Sequence, residues 1–184
     1  MVAADDQTIA QAKDGDHAAW RALYTAHAGR LLVWLRMFPS GDAGISAEDL
    51  ASETWLTAAA KIADFRGSTG EFGGWLFGIA RRQARNAERR SSRRRTSPAT
   101  TETLDDLLHP LRAHGADTAP DSDNWIAWLL SHLPAREREV VSCLDVVGLD
   151  VASTATALGI NASAVRVAHH RALKKLRALG VEVS

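Results

Sequence analysis

The chain has 184 residues, of which 46% are hydrophobic and 24% charged, and its 22 basic and 22 acidic side chains give a formal net charge of zero. That length suits one large or two small globular domains, no run of ~18 apolar residues offers a membrane span, and the acidic, polar start "MVAADDQTIAQAKDGD" lacks the basic and apolar stretches of a secretory signal. A single cysteine, Cys143, excludes an internal disulfide and a cysteine-rich zinc site, so a soluble cytoplasmic protein is expected.

The neutral total averages blocks of opposite sign. Residues 1–80 carry ten acids and six bases, and residues 81–95 carry eight arginines and one acid. Residues 96–124 carry six acids and one base, and residues 125–184 seven bases and five acids. Each block therefore has to be read for itself.

Alanine and leucine are abundant and strand-like alternation is missing, which predicts an all-α fold. The first helix is expected over about Asp16 to Phe38. Trp20, Leu23, Tyr24, His27, Leu31, Trp34 and Leu35 recur at spacings of three and four, as one buried face. "PSGDAG" breaks it. Ser46 and Asp49 have the spacing of a capping-box start for a second helix, along which Leu50, Thr54, Leu56, Ala58 and Ile62 follow. After the glycine-rich "FRGSTGEFG" a third helix is expected from Phe72 or Gly74. Phe72, Trp75, Leu76 and Ile79 share one of its faces, with core packing as the plain reading, and Phe77 lies off that stripe, where less burial is expected. Arg81, Arg82, Arg85, Arg89 and Arg90 continue this helix.

Residues 96–124 are rich in Thr, Pro, Asp and Ala, a linker composition with room for one helical turn around Leu104 to Leu108. Two small helical domains are thus expected, 1–95 and 125–184, joined by a flexible linker over 96–124, each with a modest core. The second domain begins with "NWIAWLLSHL" and continues through "LPAREREVVSCLDVV", with Pro134 as a first helical residue and Cys143 in the core. A short helix over Asp150 to Leu158, Gly159, and a long helix capped by Asn161 and ending at Leu179 before Gly180 make a helix-turn-helix pattern.

Two elements are strongly basic. On the last helix Val165, His169, Ala172, Leu173, Leu176 and Leu179 form the core-facing stripe, His169 as a core histidine. Ser163, Arg166, Val167, His170, Arg171 and Lys174 form the opposite one. In a helix-turn-helix that face reads base edges in the major groove, Arg166 and Arg171 bonding guanine or phosphate and Lys174, Lys175 and Arg177 phosphates. The alternative is a solvated basic face on a helical hairpin. The arginine run of residues 81–95 has the same two readings, a solvated charge run or a polyanion contact. Aromatics beside arginines and glycine-rich backbone suit unstacked bases, whereas the last helix suits duplex. A grip on duplex at one end and on opened strand at the other points to transcription initiation. A stand-alone helix-turn-helix regulator is the competing reading. No nucleophile, metal or phosphate-loop spacing supports an enzyme, and no catalytic residue, cofactor or metal is expected.

Taken in order, "AEDLASETWL" at 47–56, "FRG" at 65–67, "FGGWLFGIARR" at 72–82, "LPAREREVV" and "VVGLDVASTATALGINASAVRVAHHRALKKLR" resemble extracytoplasmic-function (ECF) sigma factors of bacterial RNA polymerase. The resemblance covers nearly the whole chain outside the linker. It implies that the 1–95 domain (sigma region 2) binds core polymerase and melts the minus-10 element, and that the 125–184 domain (region 4) reads the minus-35 element. Asp49, Leu50 and Glu53 would meet the clamp of the beta-prime subunit. Phe65, Arg66, Gly67, Trp75, Arg81, Arg82 and Arg85 would bind the minus-10 strand, with a base flipped beside the 65–67 loop at a cost of a few kcal/mol. Ser163, Arg166, Val167, His170, Arg171 and Lys174 would meet the minus-35 duplex. The partners implied are core RNA polymerase through its beta-prime clamp and beta flap, promoter DNA, and an anti-sigma factor.

Overall fold

The computed structural model describes residues 3–38, 45–95 and 122–179, and every regular element among them is helical. "PSGDAG", the turn around Leu104 to Leu108 and Gly180 lie outside the described residues.

The polar N-terminus forms a helix that periodicity does not reveal, α1 (Ala3–Lys13). Only Ile9 and Ala12 of its described side chains are buried, too few to make a stripe. Trp20 Nε1 donates to the Ala12 carbonyl at 2.9 Å and Lys13 Nζ to the Phe65 carbonyl at 2.8 Å, which fasten α1 to two later segments. Gly15 takes φ +84° in the turn that follows.

Helix α2 (His17–Met37) starts at Asp16, whose carboxylate accepts the Ala19 amide at 2.7 Å. It buries Ala19, Leu23, His27, Leu31, Trp34 and Leu35. Tyr24, expected on that face, is 55% exposed instead and packs at the rim against Trp55, with ring centroids 5.0 Å apart. A tyrosine suits such a place because its ring packs while its hydroxyl stays hydrated. Helix α3 (Ala47–Lys61) opens with a complete capping box between Ser46 and Asp49, and a tight helical turn over Ile62–Asp64 follows it.

Helix α4 (Thr69–Arg95) begins three residues before the earlier of the two expected starts. Ser68 donates to Glu71 Oε2 from both its amide (2.8 Å) and its hydroxyl (3.0 Å), as in a capping box. This start offsets the weak helix propensity of Gly70, Gly73 and Gly74. Phe77 corrects the expectation of weaker burial. It is fully buried, because Trp34 meets it edge-on from α2 at 5.9 Å and closes the side that the α4 stripe leaves open.

In the second half α5 spans Ser122–Ser131, beginning three residues ahead of the expected boundary, and α6 spans Ala135–Val141 before the chain widens into a looser helical turn over Ser142–Val146. Pro134 stands at the cap, with ψ 150°, rather than inside the helix. Asp150 caps α7 (Val151–Leu158) by accepting the Ser153 amide at 2.6 Å, and Gly159 ends it at φ +65°. Asn161 caps α8 (Ala162–Ala178) by accepting the Ala164 amide at 2.7 Å. The buried stripe of α8 is Val165, Ala168, Ala172 and Leu176. His169 and Leu173 are only half-buried and Leu179 is exposed, so the stripe runs slightly round from its expected position. His169 Nε2 lies 2.8 Å from Asp145 Oδ2, an ion-pairing position and not a core one.

The two helical domains do not keep separate cores. One apolar cluster takes Trp34, Phe72 and Phe77 from the first half and Val140, Cys143, Leu149, Ala157 and Val165 from the second. A smaller cluster of Leu130, Leu133, Val141, Ala172 and Leu176 lies within the second. The most extensive contact between any two helices is that of α4 with α7.

Candidate nucleic-acid interface

The helix-turn-helix is built by its caps. Asp150 and Asn161 fix where α7 and α8 start, and Gly159 supplies the left-handed corner between them. With Val165, Ala168, Ala172 and Leu176 turned inward, Ser163, Arg166, Val167, His170, Arg171 and Lys174 all lie exposed. They fall at i, i+3, i+4, i+7, i+8 and i+11, one continuous stripe along the helix. The stripe carries three fixed positive charges, the hydrogen-bonding side chains of Ser163 and His170, and one apolar contact, Val167, which is 49% exposed. That mixture can bond phosphate oxygens and base edges and pack on a thymine methyl.

The 65–67 loop and α4 form a second surface. Phe65 is buried, ringed by Phe72 and Trp75 at centroid distances of 5.8 and 4.9 Å. Its ring is thus the floor of the loop and not exposed at its surface. Gly67 lies directly over it: a β-carbon there would come within 2.8 Å of the Phe65 ring. Arg66 is exposed, and its guanidinium donates to the carbonyls of Ala63 (2.6 Å) and Phe65 (3.1 Å), which holds it beside the loop. Trp75 is half-buried, and Arg82, Arg89 and Arg90 are exposed. Gln83 ties α4 to α3, bonding Thr54 at 2.6 Å and Thr57 at 2.9 Å. Arg81 is half-buried and Arg85 exposed, and both are ion-paired. Arg81 makes a two-pronged contact with Glu139 of α6, Nε to Oε1 and Nη2 to Oε2, both 2.9 Å, and Arg85 reaches Glu139 Oε1 at 3.2 Å.

The third surface is α3. Asp49 and Glu53 are exposed one turn apart, but Leu50 is buried against the core, so it supports that face from beneath and does not present itself to a partner. Asp49 Oδ2 accepts from both the Ser46 amide (3.1 Å) and hydroxyl (2.8 Å), and these bonds hold its carboxyl below the ordinary range. Glu48 is lowered as well, chiefly by its bond from Arg36 at 2.8 Å. A hydrogen bond that favours the ionised carboxylate keeps this helix start negative at neutral pH.

Two residues matter that sequence reasoning did not assign to any surface. Leu56 is 72% exposed and sits three residues after Glu53, on the same face as Asp49 and Glu53. The available signal is a leucine one turn beyond two acids. Glu139 has no comparable signal, because its arginine partners lie more than fifty residues away in sequence.

Residues 23–94 match the family model for Sigma-70 region 2, and residues 124–176 match that for Sigma-70, region 4. The chain is 33% identical over 181 residues to the ECF RNA polymerase sigma factor SigD of Mycobacterium tuberculosis, covering 94% of this chain and 82% of that one. It is 34% identical over 165 residues to the ECF RNA polymerase sigma factor SigF of Caulobacter vibrioides, covering 89% and 86%. Among solved structures it is similar to CnrH in complex with the cytosolic domain of CnrY, with a TM-score of 0.66, 26% identity and 96% of both chains covered.

Proposed function

The chain belongs to the ECF sigma factors of RNA polymerase, and we propose an assignment of its three surfaces on that premise. It is a promoter-recognising transcription initiation factor that works with core polymerase. The exposed α8 stripe from Ser163 to Lys174 docks on the minus-35 duplex. The 65–67 loop with Trp75, Arg82 and the other α4 arginines holds the minus-10 strand, Phe65 acting as its rigid floor. Asp49, Glu53 and Leu56 meet the beta-prime clamp, and the region 4 domain meets the beta flap. An anti-sigma factor is a further proposed partner, on family membership. The chain supplies recognition and strand separation without a covalent step of its own. No described helix is long and apolar enough to cross a membrane, and the cytoplasm, where polymerase works, is the proposed site of action.

The observation that carries this reading is the glycine-cornered, doubly capped α7–α8 pair, whose six outward residues form one continuous exposed stripe, basic or polar except for Val167. Transcription in vitro with purified core polymerase on genomic fragments tests it. The chain is expected to direct initiation at discrete start sites. Glu53→Lys is expected to abolish that initiation with an unchanged circular dichroism spectrum, and a folded Glu53→Lys protein that initiates normally refutes the clamp assignment. Arg166→Ala is expected to relax preference at one minus-35 position, by ~1–3 kcal/mol if the lost contact is bidentate to guanine.

A further inference from the structure

We infer that Lys13, the last residue of α1, is a positioning residue for minus-10 recognition: its ammonium holds the Phe65 carbonyl and so sets the backbone of the 65–67 loop. This role rests on the assignment of that loop above. It belongs to a residue outside the stretch, 23–94, that matches region 2.

Three observations carry it. First, α1 presents Lys13 from a fixed base. Ile9 and Ala12 are buried, and Trp20 Nε1 holds the Ala12 carbonyl at 2.9 Å. The Asp16 amide closes the following turn on the Gln11 carbonyl at 2.9 Å. Lys13 stands beside this anchor, so only its own stem has to be ordered for it to reach the loop. Second, the Phe65 carbonyl takes two cationic donors, Lys13 Nζ at 2.8 Å and Arg66 Nη1 at 3.1 Å. A carbonyl oxygen has two lone pairs, and both are used. Arg66 belongs to the loop, is exposed and shares its guanidinium with the Ala63 carbonyl. Lys13 is the donor from outside, 52 residues earlier in the chain, and so ties the loop to the helical frame. A bond from a charged donor is roughly twice as strong as a neutral one. Third, holding this oxygen also sets the donors on the other side of the peptide. The unit is planar and trans, so the Arg66 amide points away from the Phe65 carbonyl. Arg66 and Gly67 are exposed, and neither amide meets an acceptor among the described residues. The Phe65 ring is gripped by Phe72 and Trp75, so ring and carbonyl together fix how the loop amides are presented. Such amides can donate to a phosphate oxygen or a base acceptor, and a preset donor has less freedom to lose on binding.

Chemical rescue of a single protein tests this role. Lys13→Cys removes the ammonium. Alkylation of the folded variant with 2-bromoethylamine restores an amine on a chain of the same number of atoms, while fully buried Cys143 stays unmodified. Circular dichroism before and after alkylation verifies that one fold is compared. Transcription with core polymerase is then measured on a promoter from a mapped start site and on variants with every other base at each minus-10 and minus-35 position. Lys13→Cys is expected to lose at least threefold in discrimination at one or more minus-10 positions, with unchanged discrimination at minus-35 and unchanged holoenzyme formation. Alkylation is expected to restore the minus-10 preference. Unchanged discrimination in Lys13→Cys overturns the inference. So does an equal fall on every promoter variant, or a loss that alkylation does not reverse, since either makes Lys13 a packing residue only. Arg66→Ala on the same promoters separates this outcome from failure of the loop assignment. If Arg66→Ala alters minus-10 preference and Lys13→Cys does not, the part given to Lys13 alone falls. If neither does, or if wild type directs no initiation, the surface assignment falls and the role of Lys13 with it.

Discussion

His27 is the residue where the fold accepts a titratable ring in a place suited to hydrocarbon. It is 8% exposed, packs against Phe72 at 5.7 Å between centroids, and its Nδ1 has no hydrogen-bond partner among the described residues. Burial pushes its pKa below the ordinary 6.5, and the positive charge of Arg30 pushes it the same way. The neutral ring is thus the folded form, and the unfolded chain takes up the proton first as pH falls. Stability present above about pH 6.5 is then lost on acidification towards the lower folded-state value. His27→Gln is expected to flatten the fall of Tm between pH 7 and pH 5, measured by thermal denaturation. An equally steep fall in the variant would assign the acid sensitivity to other groups. Burial of His27 was legible in the sequence, since it lies within the Leu23 to Leu35 stripe. Cys143 was legible too: it is fully buried, and burial drives its thiol up to about 12, so it is inert packing at neutral pH.

At the scale of elements, the helix starts carry much of the specification. Ser46, Asp150 and Asn161 each accept an amide at the head of a helix that the residue pattern already announces. For Asn161 the consequence is direct, because it fixes the first turn of α8, where Ser163 and Arg166 project. Asn161→Ala is expected to cost about 1 kcal/mol, which for a chain of this size lowers Tm by about 2–4 °C. Differential scanning calorimetry reads that shift, and an unchanged Tm would mean that the cap bond contributes nothing net. These starts were legible because capping is local chemistry, confined to three or four consecutive residues. The start of α4 was open to the same logic. Ser68, Thr69, Gly70 and Glu71 have the capping-box spacing, but the surrounding glycines obscured it. Helix α1 was not legible, because polar residues outnumber its two buried contacts and its anchor at Phe65 lies about fifty residues downstream.

At the scale of the whole molecule, the sequence announces which faces are apolar, small or basic but not which face meets which. The α8 stripe could be placed residue by residue, since its opposite side is a plain core pattern. The shared core and the α4–α7 contact could not, because Gly70 reads as loop backbone, Gly74 and Gly78 read as helix positions with no stated neighbour, and Arg81 reads as a free cation. The balance of charge follows the same division: Glu139 pairs with Arg81 and Arg85 at the near end of the α4 arginine run, whereas Arg89 and Arg90 lie exposed farther along. A solvated charge run and a phosphate-binding end make different demands on salt. If the far end of α4 meets phosphates, each contact releases condensed counterions and adds ~0.7–0.9 to the slope of log affinity against log salt. Arg89→Gln with Arg90→Gln is therefore expected to reduce that slope by about 1.4–1.8 for polymerase holoenzyme on promoter DNA, with unchanged sequence preference. Titrations at several salt concentrations measure it, and an unaltered slope returns this end of α4 to solvent.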